Sequence, residues 1–291
     1  MPIDDREWIA AYGPKTSLLT YHDIVSNNID VLRSDTGGGP YAQISTAIPA
    51  TDYRASNNQL GNIAIGHARS TPKGFYAYQS FVAPSKDPGP GAVLSGAPNN
   101  EAFVAVSSDG GHTFTDKAIP CSTKSGGSLS HQFPNILVAP NGSLVETWSN
   151  DSKAFDARSA DHGSTWTCTG SLSNGLKQAV EPWVVASATG TDLVYYGTPD
   201  APGPNQLWSV YLVQDTGRGF GAPEAGHDRA PARPRRRRPP GACSRSAARP
   251  VRPTRHHPPA RATPAPARRP AGTTGAPGSG RPPPAPAATR R

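Results

Sequence analysis

Side chains able to bind or transform a ligand are sparse in the first 222 residues, and their spacing excludes most chemistries. His22, His67, His112, His131 and His162 share no zinc-ligand spacing. Asp109 and Asp116 flank G-G-H-T-F-T but do not follow a calcium loop. There is no phosphate-cradling glycine loop, no Ser-His-Asp order and no redox motif, so neither metal nor other cofactor is expected. What remains is a small set of arginines (Arg6, Arg33, Arg54, Arg69, Arg158 and Arg218), Glu181 beside Pro182 and Trp183, and the pair Tyr195–Tyr196. The planar fork of Arg matches a carboxylate, so an Arg in a pocket would hold an anionic ligand. Arg6, Arg54 and Arg69 are either such pocket residues or solvated surface. Glu181 and the two tyrosines either approach a pocket or are ordinary strand contacts.

A stronger pattern lies in two short stretches. Ser107 to Phe114 reads S-S-D-G-G-H-T-F, and Ser159 to Trp166 reads S-A-D-H-G-S-T-W, both fitting S-x-D-x-G-x-T-aromatic. Ser107, Asp109, Ser159 and Asp161 carry short acceptors that can bond backbone N–H groups two residues on and fold the chain into a turn. Gly111 and Gly163 supply a left-handed conformation. Thr113 and Thr165 suit the start of a strand that Phe114 and Trp166 anchor. Weaker copies keep Asp35 and Gly37 in R-S-D-T-G-G-G-P, and Asp215, Gly217 and Phe220 in V-Q-D-T-G-R-G-F. From aspartate to aspartate the steps are 74, 52 and 54 residues, and steps near fifty suit one four-stranded blade per repeat. The longer first step calls for an insertion, which Pro84 to Pro98 offers.

This motif is the Asp box, and on it the chain resembles the sialidase-like β-propellers, also called bacterial neuraminidase repeat proteins. The resemblance spans nearly all of residues 1–222 and implies an all-β fold of four-stranded blades, about four of them visible here where the family builds six. It implies an exo-sialidase: a Tyr nucleophile activated by a Glu, an Asp acid/base, and three Arg that clamp a sugar carboxylate, in place of the usual carboxylate pair. The family places its Asp boxes at outer hairpins away from the substrate, so these aspartates are expected to be loop staples, and Arg33 and Arg158 lie at that same end. The family's Arg-Ile-Pro signature does not occur, and the nucleophile would fall beyond residue 222. Three readings follow. The first is a sialidase-like glycoside hydrolase fragment lacking its full catalytic set. The second is a non-catalytic Asp-box propeller that binds a glycan or protein. The third is a nucleic-acid binder, and it rests on the tail alone.

The elements that must position these residues are strands. Expected strands run over Glu7–Ala11, Ser17–His22 and Ile29–Arg33 in the first repeat, and over Asn62–Gly66, Phe75–Val82 and Ala102–Val106 in the second. The third repeat offers Phe133–Val138, the turn A-P-N-G, Leu144–Trp148 and Ala154–Arg158, and the fourth Trp183–Ala186, Leu193–Tyr196 and Leu207–Val213. No segment has a helical period of useful length.

Composition divides the chain at Pro223. Up to Ala222 there are 13 Lys and Arg against 19 Asp and Glu, whereas the 69-residue tail holds 16 Arg, 17 Pro and 15 Ala and no Leu, Ile, Phe, Tyr or Trp. Only the first part can bury a core, and the tail (223–291) is expected to be disordered. It is either a basic arm that meets nucleic acid or an acidic surface through Arg235–Arg238, or the out-of-frame translation of a GC-rich gene. Met1 is followed by no basic, apolar leader, and no apolar run is long enough to span a membrane. The family resemblance nevertheless implies secretion. Cys121 and Cys168 each follow an Asp box and would pair in an exported protein; free buried thiols are the other reading. N-G-S at Asn141 and N-D-S at Asn150 are glycosylation acceptors only on a eukaryotic secretory route.

Overall fold

The computed structural model describes residues 4–71, 74–89, 97–130, 133–186, 190–215 and 220–226. The tail from 227 onward, Gly217, Arg218 and His131 lie outside the described residues, as do the side chains of His67 and Arg69. The strands form four antiparallel sheets of four strands, each in simple chain order. The first holds β1 (Asp4–Tyr12), β2 (Thr16–Asp23), β3 (Ile29–Ser34) and β4 (Ala42–Thr46). The second holds β5 (Gln59–Thr71), β6 (Gly74–Ala83), β7 (Glu101–Ser107) and β8 (Thr115–Ile119). The third holds β9 (Asn135–Val138), β10 (Leu144–Ser149), β11 (Ala154–Ser159) and β12 (Thr167–Ser171), and the fourth β13 (Gln178–Ala186), β14 (Thr191–Thr198), β15 (Ser209–Gln214) and β16 (Glu224–Ala225).

The first strands of the sheets meet in succession, β1 against β5, β5 against β9 and β9 against β13. They therefore line a common axis with the meanders radiating from it, which makes the sheets four blades of a β-propeller. Apolar layers fill the spaces between blades. Leu18, Ile29 and Val31 of the first blade meet Leu60, Phe75 and Phe81 of the second. Tyr78, Val82 and Ile119 meet Ile136, Leu144 and Trp148 of the third, and Val145 and Ala154 meet Val184, Leu193 and Tyr195 of the fourth. A strand between two such layers is buried on both faces. Residues 75–83 of β6 are accordingly apolar almost throughout rather than alternating, with all but Tyr76 buried.

All the expected inner strands are present, and several are longer than their apolar runs. The expected start at Phe133 moves to Asn135, and the third strand of the fourth repeat starts at Ser209, leaving Leu207 78% exposed. The first inter-box step is lengthened at the Pro84–Asn100 connection, of which 90–96 lies outside the described residues, and by the longer strands β5 and β6. In the linker before β5, Asp52 caps a 3₁₀ turn over Tyr53–Ser56 by accepting from Arg54 N at 2.9 Å. Cys121 and Cys168 form a disulfide with Cα atoms 6.2 Å apart, joining the segment after β8 to β12 of the next blade. That geometry resolves the choice between a pair and free thiols. Among the described residues no helix is long and apolar enough to cross a membrane.

Candidate functional site

An up-and-down meander sorts its connections by end. The first-to-second and third-to-fourth strand turns share one end of each blade, here the lower end. The second-to-third turns and the blade-to-blade links share the upper end.

Both S-x-D-x-G-x-T-aromatic stretches occupy lower hairpins and close on themselves. Ser107 Oγ accepts from Gly111 N at 2.9 Å, and Asp109 accepts from Thr113 N at 2.9 Å and Thr113 Oγ1 at 2.7 Å. Ser159 Oγ accepts from Gly163 N at 2.8 Å, and Asp161 from Thr165 N at 2.8 Å and Thr165 Oγ1 at 2.6 Å. Gly111 and Gly163 take φ of +94° and +81°. Trp166 Nε1 donates to Gly163 O at 3.0 Å, while Phe114 lies against the first apolar layer. The hydrogen bonds from Thr165 and Ser159 hold Asp161 down at about 2. Burial pushes Asp109 up, but the bonds from Thr113, Ser107 and His112 outweigh it and hold it low. Carboxylates held in this way have no proton to give near neutrality.

The weaker copies are wired differently. Asp35 accepts from Thr16 Oγ1 at 2.7 Å and pairs with Arg33 at 2.9 Å, and Gly37, at φ +85°, donates to Lys15 O. Arg33 also donates to Gly110 O of the neighbouring box at 3.0 Å. Asp215 is buried and pairs with Arg158 of the third blade at 2.7 Å, while Arg158 lies 4.9 Å over Phe220. Both arginines thus clasp adjacent blades at the lower end.

At the upper end the axis carries a different group. In β1, Arg6 and Glu7 oppose one residue of β2, because Asp5 pairs His22 and Trp8 pairs Thr20. In β13, Glu181 and Pro182 likewise oppose one residue of β14, because Val180 pairs Tyr196 and Trp183 pairs Val194. These are β-bulges, which bend a strand and re-aim a side chain. Their first residues, Arg6 and Glu181, sit at φ +59° and +53°, a region costly for side chains other than glycine. A cleft of about 300 Å³ opens there between Trp8, Phe133, Pro134, Asn135, Glu181, Pro182 and Trp183. The Trp8 and Trp183 rings stack with centroids 5.3 Å apart, and the Arg6 guanidinium lies 3.7 Å over Phe133. Burial lowers the Arg6 pKa, opposed by Asp5, whose carboxylate lies 3.4 Å away.

Two donors on residues of this cleft, Trp8 Nε1 and Asn135 Nδ2, are buried without a partner among the described residues; the Asn135 amide oxygen accepts from Val184 N at 2.9 Å. An orphaned buried donor costs about 1–3 kcal/mol. Among the described residues Glu181 is the one acid that lines the cleft. The arrangement can accept hydroxyl or carboxylate oxygens and stack an apolar ring face, and it supplies one carboxylate where glycoside hydrolysis by a carboxyl pair needs two.

Of the remaining candidates, Arg54 is engaged by Asp52 and lies 3.7 Å from Asp116, away from the cleft. Tyr195 is buried and donates to Leu172 O at 3.0 Å, and Tyr196 is 48% exposed on the outer face of β14, so neither tyrosine lines the cleft. Trp8, Phe133 and Asn135 escaped the sequence reading. The available signal was the shared R-E-W and E-P-W at the starts of the first and fourth repeats.

The sequence matches no protein-family model and no curated protein. Solved structures with a similar chain path are glycosidases. One is an exo-β-1,3-galactanase of Phanerochaete chrysosporium (12% identity, 75% of this chain and 49% of that one, TM-score 0.45). Another is a Hadza microbial sialidase (20%, 74% and 45%, TM-score 0.47). A third is the glycoside hydrolase family 93 α-L-arabinofuranosidase of Fusarium graminearum with arabinobiose (14%, 72% and 62%, TM-score 0.49). The matched region spans about half to three-fifths of those chains.

Proposed function

We propose that this chain is a propeller of glycoside-hydrolase type whose upper axial cleft binds a glycan, and that the cleft built by residues 4–226 binds rather than cleaves. The observation that carries this reading is the aromatic cleft itself, in which the Trp8 and Trp183 indoles stack and the Arg6 guanidinium lies over Phe133. Sugars present acceptor oxygens around an apolar ring face, the complement of that surface. Binding without turnover rests on the single carboxylate that lines the cleft among the described residues. Arg6 favours a second, finer reading, a sialidase-type site in which its guanidinium meets a sugar carboxylate. The disulfide fits an exported protein.

The test is a glycan array on the full chain, followed by titration of the best ligand into the parent protein and Trp183→Ala. A ligand whose affinity falls at least tenfold in the variant supports the reading. Turnover of a fluorogenic sialoside that Glu181→Gln abolishes would replace it with a hydrolase. Binding to no glycan would discard it.

A further inference from the structure

At the lower end, remote from the axial cleft, a second cavity of about 230 Å³ opens between the second and third blades. Its wall is aromatic. The His162 imidazole stacks on Tyr76 with centroids 4.0 Å apart and planes 10° apart, and Tyr78 lies parallel to both within 7°. Tyr78 Oη and His162 Nδ1 are 2.6 Å apart. Burial pushes the Tyr78 hydroxyl up, so it keeps its proton. The two groups share one hydrogen bond whose direction the imidazole tautomer sets.

His162 occupies the variable position of its Asp box at φ +57°, where the sister box has Gly110 at φ +74°. The imidazole takes no part in closing the hairpin, which Ser159, Asp161 and Thr165 accomplish. A left-handed histidine costs of order 1 kcal/mol or more that glycine avoids. The strain is met by contacts with another blade, and those contacts fix the ring as part of the cavity wall. Along the rim stand Asn141 and Ser143. Asn141 Oδ1 accepts from Ser143 N at 3.0 Å and Ser143 Oγ at 2.7 Å, which holds the amide in place with Nδ2 left to donate. Gly66 and Gly142 add no side chain to the opening, and among the described residues no Lys, Arg, Asp or Glu lines it.

From this geometry we infer a second ligand site, separate from the axial cleft, that takes a single neutral pyranose ring. A one-sided aromatic wall suits the apolar face of a sugar ring, and the Asn141 amide and the His162 imidazole along its edge suit the hydroxyls. Lined by no charged side chain among the described residues, the site favours a neutral sugar over an acidic one. Its volume, below the roughly 300–1,000 Å³ of drug-sized pockets, fits one ring and not a chain.

The experiment is saturation-transfer NMR on the full chain with methyl β-D-galactopyranoside and methyl β-D-glucopyranoside. Three variants are compared: Trp183→Ala in the axial cleft, and His162→Gly and Asn141→Asp in the lower cavity. His162→Gly copies the sister loop and relieves its strain. Asn141→Asp keeps the turn bonds through Oδ1, removes the amide donor and sets a carboxylate in its place. The expected result is saturation transfer that survives in Trp183→Ala and falls at least fivefold in both lower-cavity variants. Transfer that is lost in Trp183→Ala and unchanged in the other two would overturn the lower site while leaving the axial cleft standing. Transfer to neither sugar in the parent protein would also overturn it.

Discussion

Replacing Glu146 with Gln should make the protein more stable, by an amount that grows with pH. Glu146 has 0% exposure in β10; Oε1 accepts from Ser80 Oγ of the neighbouring blade and Oε2 has no partner. Burial drives this carboxyl well above the ordinary range, and the Ser80 hydrogen bond only partly opposes it. A carboxyl whose folded pKa exceeds its unfolded one holds its proton more tightly when folded. Its stabilising contribution is therefore complete below the unfolded value and is lost as pH rises through the folded one. Between those two values the loss follows the one-proton slope of about 1.4 kcal/mol per pH unit. Asp116, pushed up to about 7 by burial with Arg54 opposing, adds a fall of its own as pH rises. Glu146→Gln keeps the side-chain shape and the Ser80 hydrogen bond while removing one of the two ionisations. Urea unfolding of parent and variant at pH 5, 6 and 7, followed by tryptophan fluorescence, should show their difference widening as pH rises, by no more than about 1.4 kcal/mol per unit. Parallel pH profiles would refute this account of the buried carboxyl.

Three further outcomes are expected. Cys121→Ser with Cys168→Ser opens a link of sequence separation 47 and should cost about 4 kcal/mol by the chain-entropy relation; equal melting of the oxidised and reduced parent would contradict it. Arg158→Met removes the 2.7 Å pair with Asp215 across the blade junction and should cost about 1–2 kcal/mol, the guanidinium being partly exposed; calorimetry checks it. Gly61→Ala would place a Cβ 2.1 Å from Pro134 O and 2.8 Å from Ser80 Oγ. It should cost about 3 kcal/mol or more by parting the second and third blades, whereas Gly13→Ala, at φ +65° in open space, should cost only about 1 kcal/mol. Similar losses for the two glycine variants would reject this ranking.

Strands buried on both faces announce themselves, and β6 and β10 were legible because F-Y-A-Y-Q-S-F-V-A and L-V-E-T-W-S have little else to be. The outer strands were harder. Ala42–Thr46 and Thr167–Ser171 read A-Q-I-S-T and T-C-T-G-S, half exposed and low in apolar content, since an edge strand packs on one side at most. Asp boxes were readable because each is closed by bonds within eight residues. The axial cleft was not, because Trp8, Phe133 and Glu181 come from three blades and converge only once those blades stand around one axis. Glu181 and Arg6 were noticed as residue types, but a left-handed backbone at a charged side chain has no signature in composition. The lower cavity depends on the same convergence, through Tyr76 of one blade and His162 of the next.

The bulges at the starts of β1 and β13 have a counterpart in β5, where Gly61 and Asn62 stand opposite a single residue between Leu60 and Ile63. Arg6, Gly61 and Glu181 are thus the same structural position in three repeats, filled by a cation, by no side chain and by an anion. At a bulge the ladder is already interrupted, so the residue there is released from matching its neighbours across the sheet. The fold in this way separates inheritance from invention. Its repeats can be copied with their strands and hairpins intact, while one position in the first strand of three of the four blades remains open to a new chemistry.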